Sequence, residues 1–121
     1  MNELASMRIY FQNRTRVPRE GFWGRFFSPS LGTHLIKSAK QFGIEQAVYQ
    51  PIIAGYLKGD PVSYDMSDAP PPKLPSCVEM IDQEEKLRDF LKDHEQELQN
   101  ARVVLFKSEN ILLDHHHPPP K

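Results

Sequence analysis

The sequence predicts an α+β domain in which two strand–helix–strand units share one antiparallel sheet. Three observations predict it: four short apolar stretches with strand character, two longer ones in which apolar residues return at helical spacing, and the order in which the two kinds occur. A proline-rich stretch divides the two units.

The first stretch, Met7 to Gln12 (MRIYFQ), sets Ile9 and Phe11 against Arg8, Tyr10 and Gln12, the period of two of a half-buried strand. An irregular arm rich in Arg and aromatics follows, NRTRVPREGFWGRFFSPS. Leu31 to Phe42 then places Leu31, Leu35, Ala39 and Phe42 on one face of a helix, with Ser30 as its cap and Gly43 as the residue that ends it. Ile44 to Ala54 reads as a second, buried strand with Ala47, Val48, Ile52 and Ile53 as its apolar content. Pro51 has no N–H for a ladder and argues for a bulge or an edge position there.

Ser76 to Ile81 (SCVEMI) alternates again and runs into the clearest helix start in the chain. Asp82 is the expected cap and Glu85 stands three residues on, a reciprocal capping box whose cap contributes about 1 kcal/mol. Leu87, Phe90, Leu91, His94 and Leu98 form one stripe, with Glu84, Arg88, Asp89, Lys92 and Glu95 opposite, as in a helix packed on a sheet. Asn100 closes that helix. Arg102 to Phe106 (RVVLF) is a continuous apolar strand, and Ile111 to Leu113 is long enough for a short fifth.

Two such units with right-handed crossovers give a ferredoxin-like βαββαβ sandwich, a four-stranded antiparallel sheet with both helices on one face. The bare face would then expose an apolar patch on the order of several hundred Å², more than soluble monomers usually carry, so a homo-oligomer is expected.

Between Gly55 and Pro75 the chain reads GYLKGDPVSYDMSDAPPPKLP, with five of its 11 prolines. Such a stretch buries too little apolar surface to offset the entropy of ordering it, so a mobile, functional loop is expected over 55–75. The domain is expected to occupy residues 1–113, and HHHPPPK, preceded by Asp114, to form with it a disordered tail over 114–121. Three adjacent histidines cannot all face one ion in extended geometry, and no metal is expected.

The 121 residues fit one domain, and the formal net charge of −1 gives no global case for nucleic acid or an anionic membrane surface. The balance hides an asymmetry. Residues 1–60 carry eight Lys/Arg against four Asp/Glu, and residues 61–121 carry seven against twelve, so the first half offers most of the anion-binding material. The single cysteine, Cys77, rules out an internal disulfide and fits a reducing compartment. With neither a membrane span nor the pattern of a signal peptide, a cytoplasmic location without direct membrane insertion is expected.

Catalytic signatures such as HExxH, CxxC, a Walker loop or GxGxxG are missing, so enzyme activity is not expected. The candidate ligand-binding residues are basic or at turns. Arg102 and Lys107 flank the last strand and could each hold a phosphate. Gly55, Tyr56, Lys58 and Gly59 sit at the base of the loop, where glycine permits positive φ and close approach of backbone to ligand. In the arm, the plainer reading has the aromatics covering a subunit interface with the arginines at its rim; alternatively, Arg14 and Arg16 could grip phosphates while Trp23 or Phe22 stacks on a base. His34 and His94 stand apart in sequence and read as packing or capping histidines.

MRIYF at the first strand, HLIKSAKQFGIEQAVYQPIIAGY across the first helix and second strand, and VEMIDQEEKLRDFL across the third strand and second helix together resemble the PII-like signalling proteins. Within these the chain is most similar to the small bacterial proteins grouped as domain of unknown function 190, from Met7 to about Leu113. The resemblance implies a homotrimer whose three sheets pack around a central axis, with ligands in clefts between subunits. It implies that the segment from Gly55 to Pro75 is a T-loop that changes conformation with the ligand and contacts a partner, a membrane transporter or channel. It also implies an adenine nucleotide (ATP, ADP or AMP) as effector, which PII proteins proper hold partly by a glycine-rich turn and a basic residue before the last strand. Arg102 matches that basic position in QNARVVLF, but the glycines are absent there, and the glycine turn after the second strand is only partly kept. In PII proteins proper the T-loop can be modified on Tyr or Ser, which by resemblance points here to Tyr64, Ser63 and Ser67. The contrasting reading is a ligand-free trimer whose arm and loop bind a protein constitutively.

Overall fold

Met7 faces Met80 on one neighbouring strand and Leu105 on the other, which places the first strand in the interior of the sheet. The computed structural model describes residues 4–17, 30–50, 52–66, 70–107, 109 and 111. Its elements are β1 (Leu4–Gln12), α1 (Leu31–Phe42), β2 (Gln46–Gln50), β3 (Ala54–Gly55), β4 (Ser63–Tyr64), β5 (Pro75–Gln83), α2 (Glu84–Asp93) and β6 (Arg102–Lys107). The main sheet has the order β2-β5-β1-β6 with every pair antiparallel, the expected ferredoxin-like arrangement.

Both helices lie on one face because that is where the large apolar side chains project. Ala5, Met7, Ile9 and Phe11 of β1 alternate onto it with Val78 and Met80 of β5, and all six are buried. Leu31, Leu35 and Ala39 of α1 and Leu87 and Phe90 of α2 close over them as one cluster. The α1 boundaries follow from its caps. Ser30 Oγ accepts from Thr33 N–H at 3.2 Å, and Gly43, at φ +83°, turns the chain in a left-handed conformation that only glycine adopts without strain.

The second helix departs from expectation at its start. β5 runs on to Gln83, so Gln83 is the cap and makes no side-chain capping bond, and no capping box forms between Asp82 and Glu85. The buried Asp82 carboxylate instead accepts from Glu45 N–H at 2.8 Å and lies 3.5 Å from Lys86 Nζ, while Lys86 also donates to the Gly43 carbonyl. These bonds tie the end of α1 to the start of α2. The helix ends at Asp93, earlier than its apolar stripe suggested, and His94 to Asn100 continue as turns held by Leu98 N–H bonding to His94 O.

The edge strands are less buried than their composition suggested. In β2, expected as a buried strand reaching Ala54, Val48 and Tyr49 are exposed; the strand stops at Gln50, and Ile53 is 81% exposed. Its place at the sheet edge agrees with the proline that follows it, although Pro51 itself lies outside the described residues. β6 at the other edge is half-buried, with Val104 exposed. Ile111 is exposed and outside any strand, and residues 112–113 and the tail lie outside the described residues.

The face away from the helices is mixed rather than an apolar patch. Arg8 Nε and Glu79 Oε2 pair there at 2.8 Å, the Arg8 guanidinium lies 5.1 Å over the Phe106 ring, and Val48 and Val104 flank them. The loop expected over 55–75 carries a hairpin of its own. Ala54 pairs with Tyr64 and Gly55 with Ser63, and Asp65 N–H donates to Ile53 O at 2.8 Å.

Candidate functional site

Three segments far apart in sequence converge at one end of the sheet. The first is the end of β1 and the turn after it, Gln12 to Thr15; the second is the turn Leu57–Asp60 in the hairpin; the third is Gln99 to Val103, where the turns after α2 enter β6. Between them lie two adjoining grooves of about 520 Å³ each, which share Leu57, Lys58 and Asn100. That size falls within the range of small-molecule sites, roughly 300–1,000 Å³.

Local chemistry fixes the walls. Asp60 N–H donates to Leu57 O at 2.9 Å and Gly59 takes φ +87°, so the turn closes tightly and leaves Lys58 exposed at its tip. Gln12 Nε2 donates to Asp60 Oδ2 at 2.7 Å, and Gln12 Oε1 accepts from Arg14 Nε at 2.8 Å. One amide therefore locks the hairpin turn to β1 and aims the Arg14 guanidinium. Across the groove, Arg102 stands exposed at the first position of β6, opposite Tyr10.

Among the described residues, Lys58, Arg14 and Arg102 thus line the grooves against one carboxylate, that of Asp60, which is itself hydrogen-bonded to Gln12. The net excess of two positive charges at the mouth of an open groove favours an anion. A second cavity of about 240 Å³ lies under the hairpin base between Tyr49, Ile52, Pro70 and Leu74. Among the described residues its only charged lining residue is Asp65, which does not suit an anion.

A family model, DUF190, described as an uncharacterized ACR, matches residues 4–109. The chain belongs to the DUF190 family. A Thermus thermophilus protein, TTHA0516, assigned to the PII-like signaling proteins, superposes with a TM-score of 0.53 at 14% identity, over 88% of this chain and 86% of that one. At that identity the likeness shows the fold, a PII-like α+β sheet with two helices. A de novo designed protein, Foldit4, covers 92% of this DUF190 chain and 100% of its own at 11% identity, with a TM-score of 0.39, too loose to bear on the fold. No curated protein matches the sequence.

Of the residues singled out in the DUF190 sequence, Lys58, Arg14 and Arg102 meet at the cleft, with Gly59 supplying its turn. The others do not. Lys107 is at the far end of β6, with Nζ 3.5 Å from Glu84 Oε1, because a six-residue strand separates its ends. Gly55 packs against Pro75 and Ile52 in β3, and the neighbouring Tyr56 is 64% exposed, outside the groove lining. Arg16 turns back on its own segment, donating to the Asn13 and Thr15 carbonyls at 3.2 Å each. Trp23, Phe22 and Ser67 lie outside the described residues.

Sequence reasoning missed Gln12, Asp60 and Asn100, polar residues whose role depends on contacts across the fold. It also missed a side-chain cluster. The histidines read as isolated are brought together, with ring centroids 6.1 Å apart, and Glu97 Oε2 lies 2.8 Å from His34 Nε2. Only the His94-x-x-Glu97 spacing hinted at it, since His34 comes from the other helix.

Proposed function

We propose that this DUF190 protein is a PII-like regulatory protein, not an enzyme, whose cleft binds a small anionic ligand of the adenine nucleotide class. The convergence of Lys58, Arg14 and Arg102 from three separate segments carries this reading. Each would give a phosphate a charge-assisted hydrogen bond of about 1.5–3 kcal/mol. Because Lys58 belongs to the hairpin and Arg102 to the sheet, a ligand that engages both favours the hairpin conformers that keep them close. It shifts that equilibrium only by its differential affinity for the conformers. The hairpin is then the surface a protein partner reads, a membrane transporter or channel by resemblance to PII-like systems, and the setting is the cytoplasm. No helix among the described residues is long and apolar enough to cross a membrane.

The homotrimer belongs to the same proposal. Val48, Val104 and the Arg8–Glu79 pair on the open sheet face are the material for packing against two further copies, which would place the clefts near subunit boundaries. One observation supports the second reading, a ligand-free interaction trimer. The Gln12–Asp60 bond ties the hairpin turn to β1 through protein groups.

Calorimetric titration of ATP, ADP, AMP and cyclic AMP tests the choice. Saturable binding of at least one, weakened roughly tenfold to a hundredfold by Arg102→Gln, is the expected result. Silence from all four at millimolar concentration removes the nucleotide and leaves the interaction trimer.

A further inference from the structure

From the cluster of His34, His94 and Glu97 we infer a binding site for a first-row divalent transition ion, joining the first turn of α1 to the turns after α2. The inference is independent of the nucleotide reading, since none of its residues lines the cleft. One ring nitrogen from each histidine and one Glu97 oxygen lie within 4.8 Å of one another. Zinc bonds to nitrogen and carboxylate oxygen at about 2.0–2.1 Å, and tetrahedral ligands around it stand roughly 3.3 Å apart, so binding requires the three groups to adjust from spacings of up to 4.8 Å to that one.

The surroundings of His94 are those of a prepared ligand. The residue is buried, at 7% relative exposure, and its ring stacks on Phe90 with centroids 4.0 Å apart. A carbonyl oxygen only accepts, so the 2.8 Å contact between His94 Nδ1 and Phe90 O has Nδ1–H as the donor. That bond fixes the tautomer and leaves the Nε2 lone pair for an ion, the usual outer-shell support of a metal-binding histidine. No hydrogen bond to Nε2 is formed among the described residues.

The other two ligands come from opposite sides. His34 Nε2 donates to the Glu97 carboxylate at 2.8 Å, with Ser38 Oγ 3.4 Å away. An ion entering between them displaces the Nε2 proton to solvent and takes both groups as ligands. Two imidazoles and one carboxylate suit zinc and its neighbours rather than calcium or magnesium, which prefer oxygen. Three protein ligands leave one position for water. The site would brace the turn that carries Glu97, two residues before Gln99 in the cleft wall.

Zinc is the probe, and the three tail histidines must be silenced first. In the full chain carrying His115→Ala, His116→Ala and His117→Ala, calorimetric titration with zinc chloride is expected to show one ion per chain. Cobalt in its place should give the visible absorption of a tetrahedral nitrogen and oxygen set. His34→Gln and Glu97→Gln, placed one at a time in that chain, should each weaken zinc binding by on the order of tenfold to a hundredfold or more. Their side chains are 28% and 26% exposed, so replacement spares the core, and a thermal melt checks that both variants fold. No saturable zinc binding in the tail-substituted chain overturns the inference. So does equal zinc affinity in the two folded variants and their parent.

Discussion

Gln12 donates from its side-chain amide to Asp60 at 2.7 Å, joining the last residue of β1 to a turn 48 residues further along. This single bond sets the hairpin beside the sheet and forms the wall from which Lys58 and Arg14 face the groove.

Removing it should loosen the hairpin without unfolding the domain. Asp60→Ala loses about 1 kcal/mol locally, which corresponds to roughly fivefold faster opening. Amide hydrogen exchange at Asp65, whose N–H bonds to Ile53 O, is expected to rise by that factor while the melting temperature changes little. Unchanged exchange would show that the hairpin holds itself.

Gly32 is buried under the Tyr49 ring, and a Cβ added there would fall on the ring carbons. Gly32→Ala gains about 1 kcal/mol of helix propensity but must displace the ring, an overpacking cost of about 1–3 kcal/mol. The variant is expected to melt several degrees lower. In a Tyr49→Ala background the same change should become neutral or stabilising, and a double-mutant cycle measures the difference. Equal effects in both backgrounds would separate Gly32 from Tyr49.

Burial pushes the Cys77 thiol above its ordinary value, with the charges of Arg8 and Glu79 as smaller, opposed influences. The folded state thus favours the neutral thiol. Stability from this source is intact below the ordinary thiol value, about 8.5, and is lost as pH rises above it. Iodoacetamide should label Cys77 slowly in native protein and rapidly in denaturant, and Cys77→Ala should flatten the alkaline fall in stability. Rapid native labelling would contradict the burial.

The fold was legible in the sequence where one local signal decided the matter. The Ser30 cap and Gly43 fixed α1 closely, the alternation of Ile9 and Phe11 located β1, although it begins three residues earlier at Leu4, and the order of elements fixed the sheet. Where two local signals competed, neighbours decided. Asp82 has the chemistry of a cap, but Glu45 and Lys86 claim its carboxylate once β5 pairs through Gln83. Val48 and Ile53 have strand-core composition, yet an edge strand has a partner on one side only and leaves Val48 exposed, and Ile53 falls in the bend beyond the end of β2. The site divides in the same way. Arg102 and Lys58 could be nominated by charge and position, whereas Gln12 and Asn100 carry no such signal before the chain folds. His34 and Glu97 meet only because α1 and the turns after α2 lie side by side.

Anion binding in the groove between the hairpin turn, the end of β1 and the start of β6 can be read at the residues themselves, from two-dimensional amide spectra recorded while ATP is added. Saturable shifts should concentrate at Lys58, Gly59, Asn100 and Arg102, and Lys58→Gln with Arg102→Gln should abolish them. Shifts confined to other residues, or none at millimolar ATP, would contradict it.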